Sequence, residues 1–210
     1  MNATTTDHGS RTQEQRSSAT RHQLLQATFE CLVELGYART STPEVLRRTG
    51  ISRGALLHHY PTRTDLVVAA VDYVFARQLD AFRHNFKKLP AAEERGEAAV
   101  ELLWQTMSGD TYYAWLELVV AARTDAVLRA KIHEVNTRFD QDAAGLYEEL
   151  FPGVEQRPEG GSLSLSFAFA TLGGLAVSAI HEDPERVRRI VDVLKRLSAM
   201  FDASNKTPGS

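Results

Sequence analysis

Apolar side chains recur along this chain at intervals of three and four, interrupted by glycine and proline, and no long stretch alternates apolar with polar. That spacing predicts an all-α fold of about nine helices. The first runs from Ser18 to Leu35, with Leu24, Leu25, Thr28, Phe29, Leu32 and Leu35 on one face and Gly36 as its stop. Ser41 and Thr42 can accept hydrogen bonds from unpaired amides and Pro43 suits a first turn, so a short helix is expected from Pro43 to Thr49, ended by Gly50. Ser52 caps a third helix reaching Tyr60. Pro61 and Thr62 then restart the chain into a long helix over 64–89, striped by Leu66, Val67, Ala70, Val71, Val74, Phe75 and Leu79.

Past Pro90 the spacing predicts helices over 93–108, 111–123 and 125–151, then a loop from Pro152 to Gly161. Two more helices follow. One is an uncharged run ending near His181; the other starts after Asp183 and Pro184, with Val187, Ile190, Val191, Leu194, Leu197 and Phe201 on one face. Residues 1–17 and 204–210 read as disordered tails, flanking one domain over 18–63 and a second over 64–203.

With 210 residues, 43% of them hydrophobic, the chain can bury a sizeable core. Of the 21 uncharged residues from Gly160 to Ile180, 9 are Gly, Ser or Thr and 4 are Ala, a composition that suits a buried helix better than a membrane span. The first 20 residues lack the apolar core of a signal peptide, and the single cysteine, Cys31, permits no intramolecular disulfide. The expectation is a cytoplasmic protein.

The net charge of −3 is unevenly spread. Up to Arg63 there are 8 arginines against 5 acidic residues, whereas the remainder carries 16 basic against 22 acidic residues. A small basic module joined to a larger acidic one suits a partner such as nucleic acid, although a surplus of this size also arises as surface noise.

The stretch Pro43 to Arg63, PEVLRRTGISRGALLHHYPTR, narrows the choice. Two short helices meet at a turn containing Gly50, with Val45, Leu46, Ile51 and Leu56 placed to pin them together. This is a helix-turn-helix pattern, in which the second helix is held steeply with its N-terminus open to a phosphate or base edge. Arg53 at that start can grip guanine O6 and N7 together, or act as a solvated cation touching phosphate alone. His58 and His59 point about 100° apart on a helix, so at most one reaches DNA well; His59 is the favoured one.

The longer segment from Thr20 to Val67, TRHQLLQATFECLVELGYARTSTPEVLRRTGISRGALLHHYPTRTDLV, resembles the DNA-binding domain of TetR/AcrR-type transcriptional regulators over 48 residues. The resemblance implies a homodimer whose first three helices bind DNA while the remaining six or so bind a ligand and dimerise. It also implies roles for individual residues. Thr42 and Ser52 would cap the second and third helices and touch phosphates, Arg53, Gly54 and Ala55 would face bases, His59 would lie at the backbone, and Arg63, replacing a lysine, would approach a phosphate. Tyr60 takes the place of a packing residue. Leu57 stands where the family commonly has a tyrosine, so it would lose a phosphate contact or meet a thymine methyl, and Pro43 replaces a longer side chain found in some members.

No catalytic signature accompanies this module: Gly-x-Ser-x-Gly, His-Glu-x-x-His, phosphate-loop and dinucleotide glycine patterns are missing from the sequence. The expectation is therefore no enzyme, cofactor or metal, with the consecutive His181, Glu182 and Asp183 read as a capping turn and Cys31 as a packed side chain. Large side chains in the second half are either plain core or the walls of a cavity. Trp104, Met107, Tyr112, Tyr113, Trp115, Phe139 and Phe167 are the candidates for a mainly apolar effector. Phe169, Gly173, Gly174 and Val177, with Ile190, Leu194 and Leu197, are the candidates for a two-fold helical interface.

The combined reading is a ligand-responsive, homodimeric DNA-binding regulator, most simply a repressor released from a pseudo-palindromic operator, with no membrane association. The alternatives are a constitutive DNA-binding protein without effector and an all-α enzyme or carrier.

Overall fold

The computed structural model describes residues 7–88, 95–152 and 161–205, with side chains over 13–88, 96–152 and 163–200. These residues form helices and turns, with no strand among them. In chain order the helices are α1 (Asp7–Leu35), α2 (Thr42–Thr49), α3 (Arg53–His59), α4 (Arg63–Phe86), α5 (Arg95–Met107), α6 (Asp110–Ala122), α7 (Ala126–Leu150), α8 (Gly161–Ala179) and α9 (Pro184–Asn205). The expected loop over 153–160 and the tail residues 1–6 and 206–210 lie outside the described residues.

Eight of these helices fall within a few residues of their expected bounds, but α1 begins at Asp7 instead of Ser18. Residues 7–17, expected as a tail, continue the helix. They carry almost no apolar residue, so periodicity cannot register them; Gln, Glu and Arg extend a helix by propensity alone once it is nucleated.

Two compact units divide the chain. The first holds the described residues up to Val74 together with Ala114–Val135. Its core gathers Leu24, Ala27 and Cys31 of α1, Val45 of α2, Leu56 of α3 and Leu66 of α4, with Leu35, Leu46, Ile51 and Tyr60 packed against them. Cys31 is fully buried here, and burial pushes its thiol pKa up, as suits a packed side chain.

The second unit holds Phe75–Tyr113 and the described residues from Asn136 onward. Phe86, Leu146 and Leu150 form one of its clusters with Leu79, Phe82, Ala99, Leu102 and Phe151 around them. Leu175, Val187 and Val191 form another, with Trp104 and Ala179. At Gly173 an added Cβ would lie 2.5 Å from the Tyr112 hydroxyl, so only glycine lets α8 approach that ring. Asp183 caps α9 by accepting the Glu185 amide at 2.7 Å, which accounts for the acidic turn before it.

Candidate nucleic-acid interface and cavity

The helix pair α2–α3 is set by its caps. Ser41, with extended backbone (φ −132°, ψ 152°), accepts from the Glu44 amide, and Gly50 closes α2 in the left-handed region (φ 67°) with its N–H donated to the Leu46 carbonyl at 2.9 Å. The cap is thus Ser41; Thr42 is already helical and does not take the capping part of the role that the family resemblance implied. Ser52 does cap α3, accepting from Ala55 at 3.2 Å. Leu56, 1% exposed, fastens α3 to the core and leaves its opposite face outward.

On that outward side Ser52, Arg53, Gly54, Leu57 and His58 are exposed, and Ala55 and His59 are half-buried. Nothing lies within 4 Å of a Cβ built on Gly54. Among the described residues no carboxylate pairs with Arg53, whose guanidinium stands open at the head of the helix. Burial, and after it the charges of His58 and Arg21, hold the His59 pKa below its ordinary value. The ring is therefore a neutral donor and acceptor at pH 7.

Arg63 is turned inward. Its Nε donates to the Thr40 carbonyl at 2.6 Å, its Nη2 to the Tyr37 carbonyl, and its Cζ lies 4.2 Å from the Tyr37 ring centroid. The residue clasps the α1–α2 loop to the start of α4, leaving only its remaining N–H groups for a phosphate. Arg48 bridges Glu44 at 2.9 Å and Glu34 at 2.8 Å, tying α2 to α1. Arg47 also bonds Glu44, and the two guanidiniums, Arg47 foremost, hold that carboxyl at about 2.

Two contacts bind this head to α6 and α7 inside the same unit. The Glu117 carboxylate accepts the Tyr37 amide N–H, and Lys131 pairs with Asp65 at 2.7 Å, holding the Asp65 carboxyl below its ordinary pKa. Asp65 also accepts the Thr62 amide at 3.0 Å and hydroxyl at 2.7 Å, closing the cap of α4.

The second unit encloses a cavity of about 770 Å³. Its walls come from α4, α5, α7, α8 and α9, with Phe82, Phe139, Leu146, Phe169 and Leu172 among them. Gln78, Thr106, Tyr147, Ser164, Thr171 and Ser198 supply its polar atoms, and no charged side chain is found among the described lining residues.

Of the effector candidates named from sequence, Phe139 and Phe167 line this cavity; Trp104, Met107, Tyr112, Tyr113 and Trp115 are not among its lining residues. Trp104 packs on the Leu175 cluster, Met107 and Tyr112 abut Gly173, Tyr113 donates to the Ala176 carbonyl at 3.1 Å, and Trp115 lies half-buried in the first unit. The aliphatic walls, such as Leu79, Leu103 and Leu165, escaped the sequence reading because a leucine facing a void has the same helical spacing as one facing a neighbour. The interface candidates also separate. Gly174, Val177 and Ile190 are exposed, Phe169, Leu194 and the partly open Leu197 line the cavity, and Gly173 is buried against Tyr112.

An all-helical chain that presents the start of a helix-turn-helix recognition helix in this way is a DNA-binding transcriptional regulator. Residues 24–70 match the family described as bacterial regulatory proteins, tetR family. An HTH-type transcriptional regulator of Mycobacterium tuberculosis is 37% identical over 152 residues, 71% of this chain and 76% of that protein. Among solved structures, a TetR-family regulator from Mesorhizobium loti superposes with a TM-score of 0.69 at 16% identity, over 89% of this chain and 98% of the other. The regulator FadR from Bacillus subtilis, solved in complex with stearoyl-CoA, superposes at 0.61 and 15% identity, over 85% and 97%. The chain belongs to the TetR family. No described helix is long and apolar enough to cross a membrane.

Proposed function

We propose that this regulator is a cytoplasmic homodimer that represses from a pseudo-palindromic operator and lets go when a small, mainly apolar molecule fills the cavity. One observation carries the reading: a head with an open recognition helix and an uncharged cavity of about 770 Å³ occur in one chain, and α4 contributes to both. FadR of Bacillus subtilis, which shares the fold, was solved in complex with stearoyl-CoA, and the largely apolar, uncharged cavity here supports an effector that resembles the hydrocarbon chain of that ligand and lacks its charged head.

Arg53 reads a guanine through its bidentate edge, Ser52, Gly54 and Ala55 bring backbone close to the DNA, and Leu57 meets a thymine methyl. His59 approaches the sugar-phosphate backbone; Thr42 contributes a phosphate contact, and so does Arg63 through the N–H groups that its internal bonds leave over. Two such heads enter successive major grooves about 34 Å apart. Ligand entry bends the course of α4, α6 or α7, each of which passes from one unit into the other, and changes the spacing of the heads.

The test is a titration of the protein against DNA from upstream of its own gene, with random competitor and at two salt concentrations. Tight binding that survives competitor and weakens steeply with salt supports a specific regulator. If competitor abolishes binding and Arg53→Ala makes no difference, the interface is wrongly placed. Operator affinity unchanged by a ligand shown to occupy the cavity overturns the effector reading, because linkage requires the two to act on each other.

A further inference from the structure

The cavity of the second unit has an unusual wall. Leu163 and Phe167 of α8 line it, yet they are 63% and 67% exposed, and Leu197 of α9 lines it at 44% exposed. A side chain enclosed by its own unit on one side and bare on the other marks an opening. Because Leu163 and Phe167 reach the same cavity as Leu194 and Leu197, the ends of α8 and α9 run side by side at that mouth.

From the mouth an apolar surface continues along both helices. On α8 the exposed positions Leu163, Phe167, Ala170, Gly174 and Val177 follow steps of four, three, four and three; on α9, Ile190, Val193 and Leu197 follow steps of three and four. That is the seam spacing of helices packing on other helices, and the small residues at 170 and 174 allow close approach. Leu163, Phe167, Val177, Ile190, Val193 and Leu197 leave on the order of 500 Å² of apolar surface open, matching the apolar share, about 65%, of the roughly 800 Å² that each partner gives to a standard interface. The occupant that fits this stripe is a second copy of the chain, whose own stripe offers the same heptad spacing and lack of charge.

We infer that the effector site is shared: the second copy seated on α8 and α9 closes the cavity over Leu163, Phe167 and Leu197, so that ligand binding and dimerisation strengthen each other. The inference rests on the homodimer proposed above and extends it to the ligand. It also bounds the ligand's chemistry. The buried part is uncharged, since no described lining group could pair with a carboxylate or an ammonium, and its few polar atoms meet Gln78, Thr171 and Ser198. An elongated, neutral, mostly hydrocarbon molecule fits, with one end under the partner's α8.

The experiment uses the full chain and Nile red, an uncharged apolar fluorophore. Val177 and Ile190 belong to the exposed stripe but not to the cavity lining, so Val177→Glu with Ile190→Glu splits the dimer without touching the walls. Circular dichroism checks the fold, and sedimentation gives the oligomeric state. The expected result is a monomer that binds Nile red at least tenfold more weakly than the wild type, while wild-type dimerisation tightens by the square of that factor, at least a hundredfold, when the dye saturates both sites of the dimer. A folded monomer with wild-type affinity for the dye overturns the shared site and leaves the dimer reading standing. A wild type that stays monomeric at all concentrations overturns the dimer itself, and a double variant that remains dimeric overturns the assignment of α8 and α9. Ala168→Phe, which fills the cavity from a lining position, is expected to abolish dye binding and remain dimeric; should it bind the dye unchanged, the dye is on the outer face and the shared site falls.

Discussion

Two glycines with nearly the same backbone should respond very differently to alanine. Gly36 (φ 77°) and Gly50 (φ 67°) both end helices in the left-handed region, where a side chain costs about 1 to 2 kcal/mol. A Cβ on Gly50 meets nothing within 4 Å, so Gly50→Ala should cost that strain and no more. On Gly36 the Cβ would lie 2.9 Å and 3.1 Å from the two carboxylate oxygens of Glu117, the group that accepts the Tyr37 amide. Glu117 must swing away, and the lost charge-assisted bond adds about 1 kcal/mol, a figure at the low end because the site is exposed. In a chain of this size each kcal/mol moves Tm by roughly 2 to 4 °C. Thermal melts followed by circular dichroism should therefore place Gly36→Ala below Gly50→Ala by that interval. The decisive version adds Glu117→Ala to each. With the carboxylate removed, Gly36→Ala and Gly50→Ala should cost the same, whereas Gly50→Ala and Glu117→Ala, which share no partner, should simply add. Equal melting points for the two single glycine variants, or strict additivity of Gly36→Ala with Glu117→Ala, would refute the claim that Glu117 fastens α6 to the head.

Arg53→Ala should leave Tm unchanged, since its guanidinium has no carboxylate partner among the described residues, and should weaken operator binding roughly 5- to 150-fold for each half-site, the equivalent of about 1 to 3 kcal/mol per head; gel-shift titrations on operator and random DNA measure it. Leu56→Ala should destabilise the head by about 2 to 5 kcal/mol, because the side chain is 1% exposed and joins α3 to α1 and α2, and urea unfolding would read the loss. Glu44 sets a pH dependence. Its folded pKa, about 2 against an ordinary 4.5, makes its contribution fully present above pH 4.5 and lost as the pH falls toward 2. Urea midpoints at pH 6 and pH 3 should accordingly fall further for the wild type than for Glu44→Gln.

The elements of the head were legible because each has a local chemical cause. Ser52, Pro43 and Gly50 punctuate the chain by rules that act over three or four residues, and Leu24, Val45 and Leu56 meet in space as their spacing implies. Where a rule leaves two neighbours eligible, sequence fails to choose: Ser41 and Thr42 can both cap, and only the backbone angles select Ser41. The sequence left open whether the second half holds a cavity or a solid core. Aromatic size drew attention to Tyr112 and Trp104, which lie half-buried against Gly173 and the Leu175 cluster, while the void is walled largely by leucines and phenylalanines whose spacing is that of any buried stripe. Whether a side chain faces a neighbour or empty space is decided by the helix opposite, far away in sequence.

Charge shows the same division between local and distant causes. The eight arginines up to Arg63 suggest a basic surface turned to DNA. Several are already bonded within the head. Arg47 and Arg48 neutralise Glu44 and Glu34, Arg63 bonds the Tyr37 and Thr40 carbonyls, and Arg39 donates to the Leu35 carbonyl at 2.9 Å. Arg48 and Arg63 hold α1, α2 and α4 in register, so their charge acts on the geometry of the helix pair, whereas Arg39 and Arg47 make local bonds and remain exposed. The recognition helix then contributes a single arginine at its open end, together with small and neutral side chains. The proposed interface depends on placing Arg53 correctly, and the Arg48 bridge, the Arg63 clasp and the Glu117 and Lys131 contacts fix the head that carries it. On the proposed reading the basic residues of the head work in series: Arg48 and Arg63 fix the frame, and the frame gives Arg53 its aim.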